Sequence, residues 1–288
     1  MNYDKKYFQD ILPNRPQNSH KGTFGHCLNI AGSEFYSGAA YFSSVAALKV
    51  GGGKVTLTSE NDVLKAIASL SPDIILMPIE NLNKNNIVDF DLISIGCGLS
   101  QNDWAVNLFK RVMNLLENSK TPVVIDADGL NILSILAISV REEGNSEDIK
   151  LPQNLILTPH PKEMSRLMGV CVDEILKHPE FWVKECAKKF NCTAILKLHR
   201  TLVADKQGNF YQNNTGNSAL AKGGSGDVLT GMITGFIAQG VRIFDACCLA
   251  VYLHGVAGEI ASEDLTQYST LASDLINYIP KAIKKLLG

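Results

Sequence analysis

Short apolar runs recur along the chain at 28–31, 54–58, 74–77, 92–95, 123–126, 155–158 and 194–197, bounded by glycine, proline or aspartate. They are continuous rather than alternating, as in Val123-Val-Ile and Leu155-Ile-Leu. A strand with one wet face alternates apolar and polar side chains, so continuous runs predict strands covered on both faces, as in a parallel sheet. Between the runs, 39–50, 104–116, 129–137 and 179–190 carry helical spacing. This alternation predicts βαβ units with right-handed crossovers, giving an α/β fold with a mostly parallel central sheet flanked by helices.

Beyond residue 200 the pattern changes. Residues 201–205 and 210–212, joined through Gly208, read as a hairpin. Three helices follow at 228–239, 246–261 and 271–287; the second is apolar on most sides and should be buried. Pro280 is expected to kink or split the third. The stretch 141–150 reads as a polar surface loop, and with no composition break or internal repeat, residues 1–288 are expected to form a single domain.

Composition narrows the classes of function. At 45% hydrophobic and 19% charged the chain has the make-up of a soluble globular protein. A net charge of −2 argues against a nucleic-acid or anionic-membrane partner, so any anionic ligand must be met by local basic groups. The start lacks an apolar core behind its basic residues, and no apolar run looks long enough to span a bilayer, which places the chain in the cytoplasm. Seven cysteines without a C-x-x-C pair suggest buried reduced thiols rather than disulfides or zinc.

Open parallel sheets bind ligands beyond the carboxyl ends of their strands. Here those ends are followed by Ala31-Gly-Ser, Gly96-Cys-Gly-Leu-Ser, Asp126-Ala-Asp-Gly-Leu-Asn, Thr158-Pro-His-Pro-Lys-Glu and Lys197-Leu-His-Arg-Thr, a rim of glycines and polar groups. Gly223-Gly-Ser-Gly-Asp227 then precedes a helical pattern. Such a segment supports either a capped helix or an anion cradle with Asp227 as a base beside it. Asp126 either caps the next helix or, together with Asp128 and Glu163, orients Mg2+ through water. His160, between two prolines, is either structural or a ligand contact, and Lys197 and Thr201 border either a nucleotide or a solvated hairpin.

Asn214-Thr-Gly-Asn with Gly223-Gly-Ser-Gly-Asp227 resembles the signature of the ribokinase-like superfamily, whose G-x-G-D turn forms an anion hole with an aspartate base. Within it, the chain from about Lys21 to near the C-terminus resembles the ADP/ATP-dependent NAD(P)H-hydrate dehydratases. The resemblance is carried by Gly32-Ser with Gly38-Ala39, Asp126-Ala-Asp-Gly-Leu-Asn, Thr158-Pro-His-Pro-Lys-Glu-Met and the Gly-Gly-Ser-Gly-Asp turn, in that family's order. It implies a ribokinase-like three-layer fold and dehydration of the S epimer of hydrated NADH or NADPH at the expense of ADP or ATP. By the same resemblance Asp227 is catalytic, and Ala39, Gly98, His160 and Asp227 touch the hydrated dinucleotide. Lys197, Leu198, His199, Arg200, Thr201 and Gly226 hold the nucleotide, and Gly223, Gly224, Ser225 and Gly226 form the anion hole. Mg2+ is placed near Asp126 and Glu163, reached through water, and the assembly is a homotetramer.

Many relatives carry an epimerase domain ahead of this one. Only about twenty residues precede the first motif here, so the epimerase is expected to be a separate protein. The chain departs from the family pattern at Leu198, Lys162 and Ser100, where glycine is usual, and these positions bear on nucleotide preference. Two rivals remain: a ribokinase-like kinase acting on a vitamin precursor or sugar hydroxyl, and a catalytically silent nucleotide-binding protein. The joint presence of the 126–131 and His160 segments speaks against the first, and retention of Asp227 against the second.

Overall fold

The apolar runs assemble into one sheet in the computed structural model, which describes residues 3–143 and 150–288. Its strands are β1 (His26–Ile30), β2 (Lys54–Ser59), β3 (Ile75–Pro78), β4 (Leu92–Ile95), β5 (Val123–Ile125), β6 (Leu155–Leu157), β7 (Thr193–Leu196), β8 (Leu202–Asp205) and β9 (Phe210–Gln212). They lie in the order β3-β2-β1-β4-β5-β6-β7-β8-β9. The first seven are parallel, and β8 and β9 add an antiparallel hairpin at one edge.

The helices are α1 (Lys5–Ile11), α2 (Ser37–Lys49), α3 (Asn61–Leu70), α4 (Asp103–Leu115), α5 (Asp128–Glu143), α6 (Pro161–Met168), α7 (Val172–Lys177), α8 (Pro179–Lys189), α9 (Ser225–Ala238), α10 (Ile243–Ser269) and α11 (Ala272–Leu287). They form two layers with separate cores. Cys27, Val124 and Ile156 enter the core shared with α2, α9, α10 and α11, while Leu28, Val123, Ile125, Leu155 and Leu157 enter the one shared with α4, α5, α6 and α8. Successive side chains of a strand point to opposite faces, so two cores require an unbroken apolar run. Edge strand β3 is the exception, with Ile75 47% exposed.

The strand order reverses direction between β1 and β4, which opens a crevice at their carboxyl ends. Buried Asn29 of β1 ties this region together, donating to Ser43 and Ser44 of α2 at 2.8 Å and accepting from Ser94 of β4 at 2.9 Å. Gly231 lets α9 lie directly on α2, where a Cβ would fall 2.1 Å from the Ser43 carbonyl oxygen. That close approach fixes the helix that carries Asp227 at its start.

The structure differs from expectation in four places. α11 runs unbroken through Pro280, which lies on its exposed side. The interruption falls instead in α10, where Thr266 leaves helical geometry at φ 70°. α10 is long and apolar enough to cross a bilayer by length and composition, but 72% of its apolar window is buried in the fold, packed with α9 and α11, as suits a core helix. α5 continues to Glu143, into the stretch expected to be loop; residues 144–149 lie outside the described ones. Six cysteines are buried and Cys171 is exposed, all of them free thiols.

Candidate active site

Four strand ends and the start of α9 converge on one place. Asp126 follows β5 and is 1% exposed, which by itself would neutralise it. Lys197, following β7, places its ammonium 2.6 Å from Asp126 Oδ1 and 3.9 Å from Glu163 Oε2. Thr230 of α9 donates to Asp126 Oδ2 at 2.6 Å. Burial pushes the Asp126 carboxyl up, but the Lys197 charge and these hydrogen bonds outweigh it and hold the group below its ordinary range. Burial pulls the Lys197 ammonium down, and the charges of Asp126 and Glu163 carry it above its usual value. Lys197 is therefore a permanent cation, so close to Gly226 that a Cβ there would lie 3.5 Å from Nζ.

Beside this pair stands Asp227, half-buried in the first turn of α9. Burial, and next the Asp126 charge, push its carboxyl up to about 6, while Cys97 and Lys197 act in the opposite direction. Asp227 is not the cap of α9: that position belongs to Gly224, in left-handed conformation at φ 91° and without a capping side chain. The first N–H groups of a helix lack intrahelical acceptors and lie at the positive end of its dipole. Here no cap side chain covers them, and the Lys197 charge stands alongside.

Neutral histidines brace the surroundings. His254 of α10 is buried and pushed down to about 4 by that burial. Its Nε2 lies 3.0 Å from the Ser225 carbonyl oxygen and 3.2 Å from the Ser225 hydroxyl. A carbonyl only accepts, so Nε2 carries the proton and fastens the first residue of α9. His160 caps α6, its Nδ1 accepting from the N–H groups of Lys162 at 3.1 Å and Glu163 at 3.3 Å, while Glu163 Oε2 accepts from the His160 N–H at 2.7 Å. Burial, and next Lys197, lower His160 to about 4. Burial raises Glu163 to about 7 against the pull of Lys197.

A cavity of about 770 Å3 opens over this cluster, lined by His160, Lys197, Leu198, His199, Thr201, Gly223, Ser225, Gly226 and His254 among others. His160 thus serves both as a helix cap and as cavity wall. The other expected residues stand outside this lining. Arg200 faces a neighbouring groove of about 840 Å3, and Gly224 packs toward Phe42 and Ala272. Ala39 and Gly98 meet each other across the β1 and β4 ends, where a Cβ on Gly98 would fall 2.8 Å from that of Ala39. Ser100 adopts φ 72°, a conformation natural to glycine, and its N–H donates to Asp128 at 2.9 Å.

Mg2+ is bound by oxygen in near-octahedral geometry and keeps several of its waters. Asp126 gives one oxygen to Lys197 and the other to Thr230, and Glu163 gives one to a backbone N–H. This donor set does not fit direct coordination and leaves reach only through water. His254, Thr230 and Cys97 were missed by sequence reasoning. For His254 the available signal was a single histidine in the largely apolar stretch from Cys247 to Val256.

Residues 27–281 match the family profile described as NAD(P)H-hydrate dehydratase. The chain is 38% identical over 260 residues to the ADP-dependent (S)-NAD(P)H-hydrate dehydratase of Neisseria meningitidis, covering 89% of this chain and 83% of that protein. It is 34% identical to the bifunctional NAD(P)H-hydrate repair enzyme of Moorella thermoacetica, covering 96% of this chain but 52% of that longer protein. Its structure resembles the crystal structure of the ADP/ATP-dependent NAD(P)H-hydrate dehydratase of Bacillus subtilis co-crystallised with ATP and Mg2+, with TM-score 0.84 and 31% identity over 99% of this chain and 98% of that one. A likeness of fold alone extends to hydroxyethylthiazole kinase of Pyrococcus horikoshii, with TM-score 0.60 and 14% identity over 97% of this chain and 94% of that one.

Proposed function

The chain belongs to the NAD(P)H-hydrate dehydratase family, and from that premise we propose that it dehydrates the S epimer of hydrated NADH and NADPH to NADH and NADPH, consuming ADP or ATP. The observation that carries the reading is the meeting of three groups at the start of α9: the raised Asp227 carboxylate, the fixed Lys197 cation and the uncapped helix N-terminus. Together they suit the deprotonation of a hydroxyl beside a phosphate.

Hydroxide is a poor leaving group and phosphate a good one. Asp227 takes the proton of the C6 hydroxyl as its oxygen attacks the terminal phosphorus of the nucleotide, and the bridging P–O bond breaks to release AMP or ADP. The ring nitrogen lone pair then expels inorganic phosphate by cleaving the C6–O bond. Loss of the C5 proton from the resulting iminium restores the C5–C6 double bond. General-base help of this kind contributes ~10²–10⁴-fold. Lys197 and the N–H groups at Gly223 to Gly226 neutralise the phosphoryl oxygens as charge builds on them.

Lys197, Leu198, His199, Thr201 and Gly226 hold the nucleotide in the cavity, and Arg200 flanks it from outside. Ala39 and Gly98, at the β1 and β4 side, and His160, beyond β6, contact the hydrated dinucleotide together with Asp227. Mg2+ belongs to the same proposal: Asp126 and Glu163 would reach it only through water, and the ion would supply positive charge that offsets phosphate charge. The working form is a cytoplasmic homotetramer, supplied with the S epimer by an NAD(P)H-hydrate epimerase.

The test is turnover of the S epimer of hydrated NADH with ADP and, in parallel, ATP. The expected result is recovery of NADH absorbance matched by release of inorganic phosphate. Accumulation of a stable phosphorylated product without NADH would make the protein a kinase and contradict the reading.

A further inference from the structure

One wall of the cavity belongs to the segment between β9 and α9, where Asn213, Thr215, Gly216, Asn217 and Ser218 line it. A connecting segment keeps one shape only where its backbone groups find fixed partners. Here the Thr215–Gly216 peptide is clamped at both ends. The Thr215 carbonyl accepts from Asn213 Nδ2 at 3.0 Å, and the Gly216 N–H donates to Glu259 Oε1 of α10 at 2.8 Å. The chain then turns at Gly216, whose φ of 98° favours glycine.

The rest of the segment is tied to the same helix. The Thr215 hydroxyl donates to the Tyr252 carbonyl at 2.9 Å, and Asn217 Nδ2 donates to the Ser262 hydroxyl at 2.8 Å. Gly255 allows this approach, since a Cβ there would fall 2.1 Å from Thr215 Oγ1. Buried Asn213 is itself fixed, accepting from the Tyr211 hydroxyl at 2.8 Å and donating its N–H to the Thr201 carbonyl at 2.9 Å. A hydrogen bond to a carboxylate is stronger than one between neutral groups, so among these ties to α10 the Glu259 bond contributes most.

We propose that Glu259 is a positioning residue for the nucleotide: from outside the cavity lining, its carboxylate holds the Gly216 N–H and so fixes the wall from Asn213 to Ser218 against which the nucleotide binds. The role rests on the functional reading above, which puts a nucleotide in this cavity, and adds to it. Removing one hydrogen bond to a charged acceptor, while the other ties remain, lowers ADP affinity by about 5- to 20-fold. It leaves kcat nearly unchanged, because the Gly216 bond is the contact that Glu259 makes with the site and neither Asp227 nor Lys197 depends on it.

The experiment titrates wild type, Glu259→Ala and Glu259→Gln with ADP by calorimetry and measures kcat and both KM values on hydrated NADH. Alanine is expected to weaken ADP binding about 5- to 20-fold and to raise the KM for ADP in step, with kcat and the KM for hydrated NADH within about two-fold of wild type. Glutamine, whose amide oxygen still accepts from the Gly216 N–H, is expected to bind ADP within about three-fold of wild type. Should alanine fail to give folded protein, Glu259→Met keeps the stem without the acceptor and is expected to behave in the same way. The role is overturned if the acceptor-free variant binds ADP as tightly as wild type, if its loss appears in kcat alone, or if glutamine falls with it. Wild type that binds ADP but does not convert hydrated NADH would overturn the functional reading, with the ADP affinities of the variants still deciding the role of Glu259; wild type that does not bind ADP would overturn both.

Discussion

Asp227 is pushed up to about 6, chiefly by burial and next by Asp126. A base works ionised, so kcat/KM should fall as pH drops through about 6, and a profile flat down to pH 5 would contradict the assignment. The folded-state value lies above the unfolded value of ~3.9, so the native state holds the proton more tightly and loses stability as pH rises from about 4 to about 6. Asp227→Asn removes that cost, on the order of 1–3 kcal/mol, and should be at least as stable as wild type at pH 8, with the gain vanishing at pH 4. It should still bind ADP while losing at least about 100-fold in kcat. Lys197 presents the opposite case. Lys197→Met leaves Asp126 buried and uncompensated, which should cost about 3–5 kcal/mol in urea unfolding. Adding Asp126→Asn should return part of that loss, and a strictly additive double variant would show that the pair is not coupled.

Among the elements, sequence patterning was most informative where one physical rule dominates. Strands β4 to β7 read as continuous apolar runs because alternate side chains enter two different cores. α6 and α7 were not anticipated: with 8 and 6 residues they are too short to show helical periodicity, and α6 is secured by the His160 and Glu163 capping box. Pro280 misled in the other direction. A proline in a helix interior removes one hydrogen bond and crowds the preceding turn, yet Ile276, Ile279, Ala282 and Leu286 are buried around it and hold α11 straight through. Packing has overridden propensity there. Since Pro280 is exposed, Pro280→Ala should raise stability by up to about 3 kcal/mol, seen as a higher Tm; an unchanged or lower Tm would mean that the helix does not strain against its proline.

On the scale of the whole molecule, the site was legible as a set of strand ends but not as a set of pairings. Glycines and polar residues after β1, β4, β5, β6 and β7 mark the rim, because a parallel sheet gathers its carboxyl ends on one edge. That Lys197 closes on Asp126, 71 residues away, and that His254 reaches back 29 residues to Ser225, follows from strand order and helix docking, which local spacing does not encode. The capping alternative for Asp227 was resolved only by the backbone, which gives the cap position to Gly224. What these pairings prepare, in this account, is a phosphorylation that exists to create a leaving group. Hydrated NADH labelled with oxygen-18 in its C6 hydroxyl tests that claim most directly. Attack on phosphorus followed by C6–O cleavage predicts that the label leaves in inorganic phosphate; label appearing in water, with unlabelled phosphate, would contradict it.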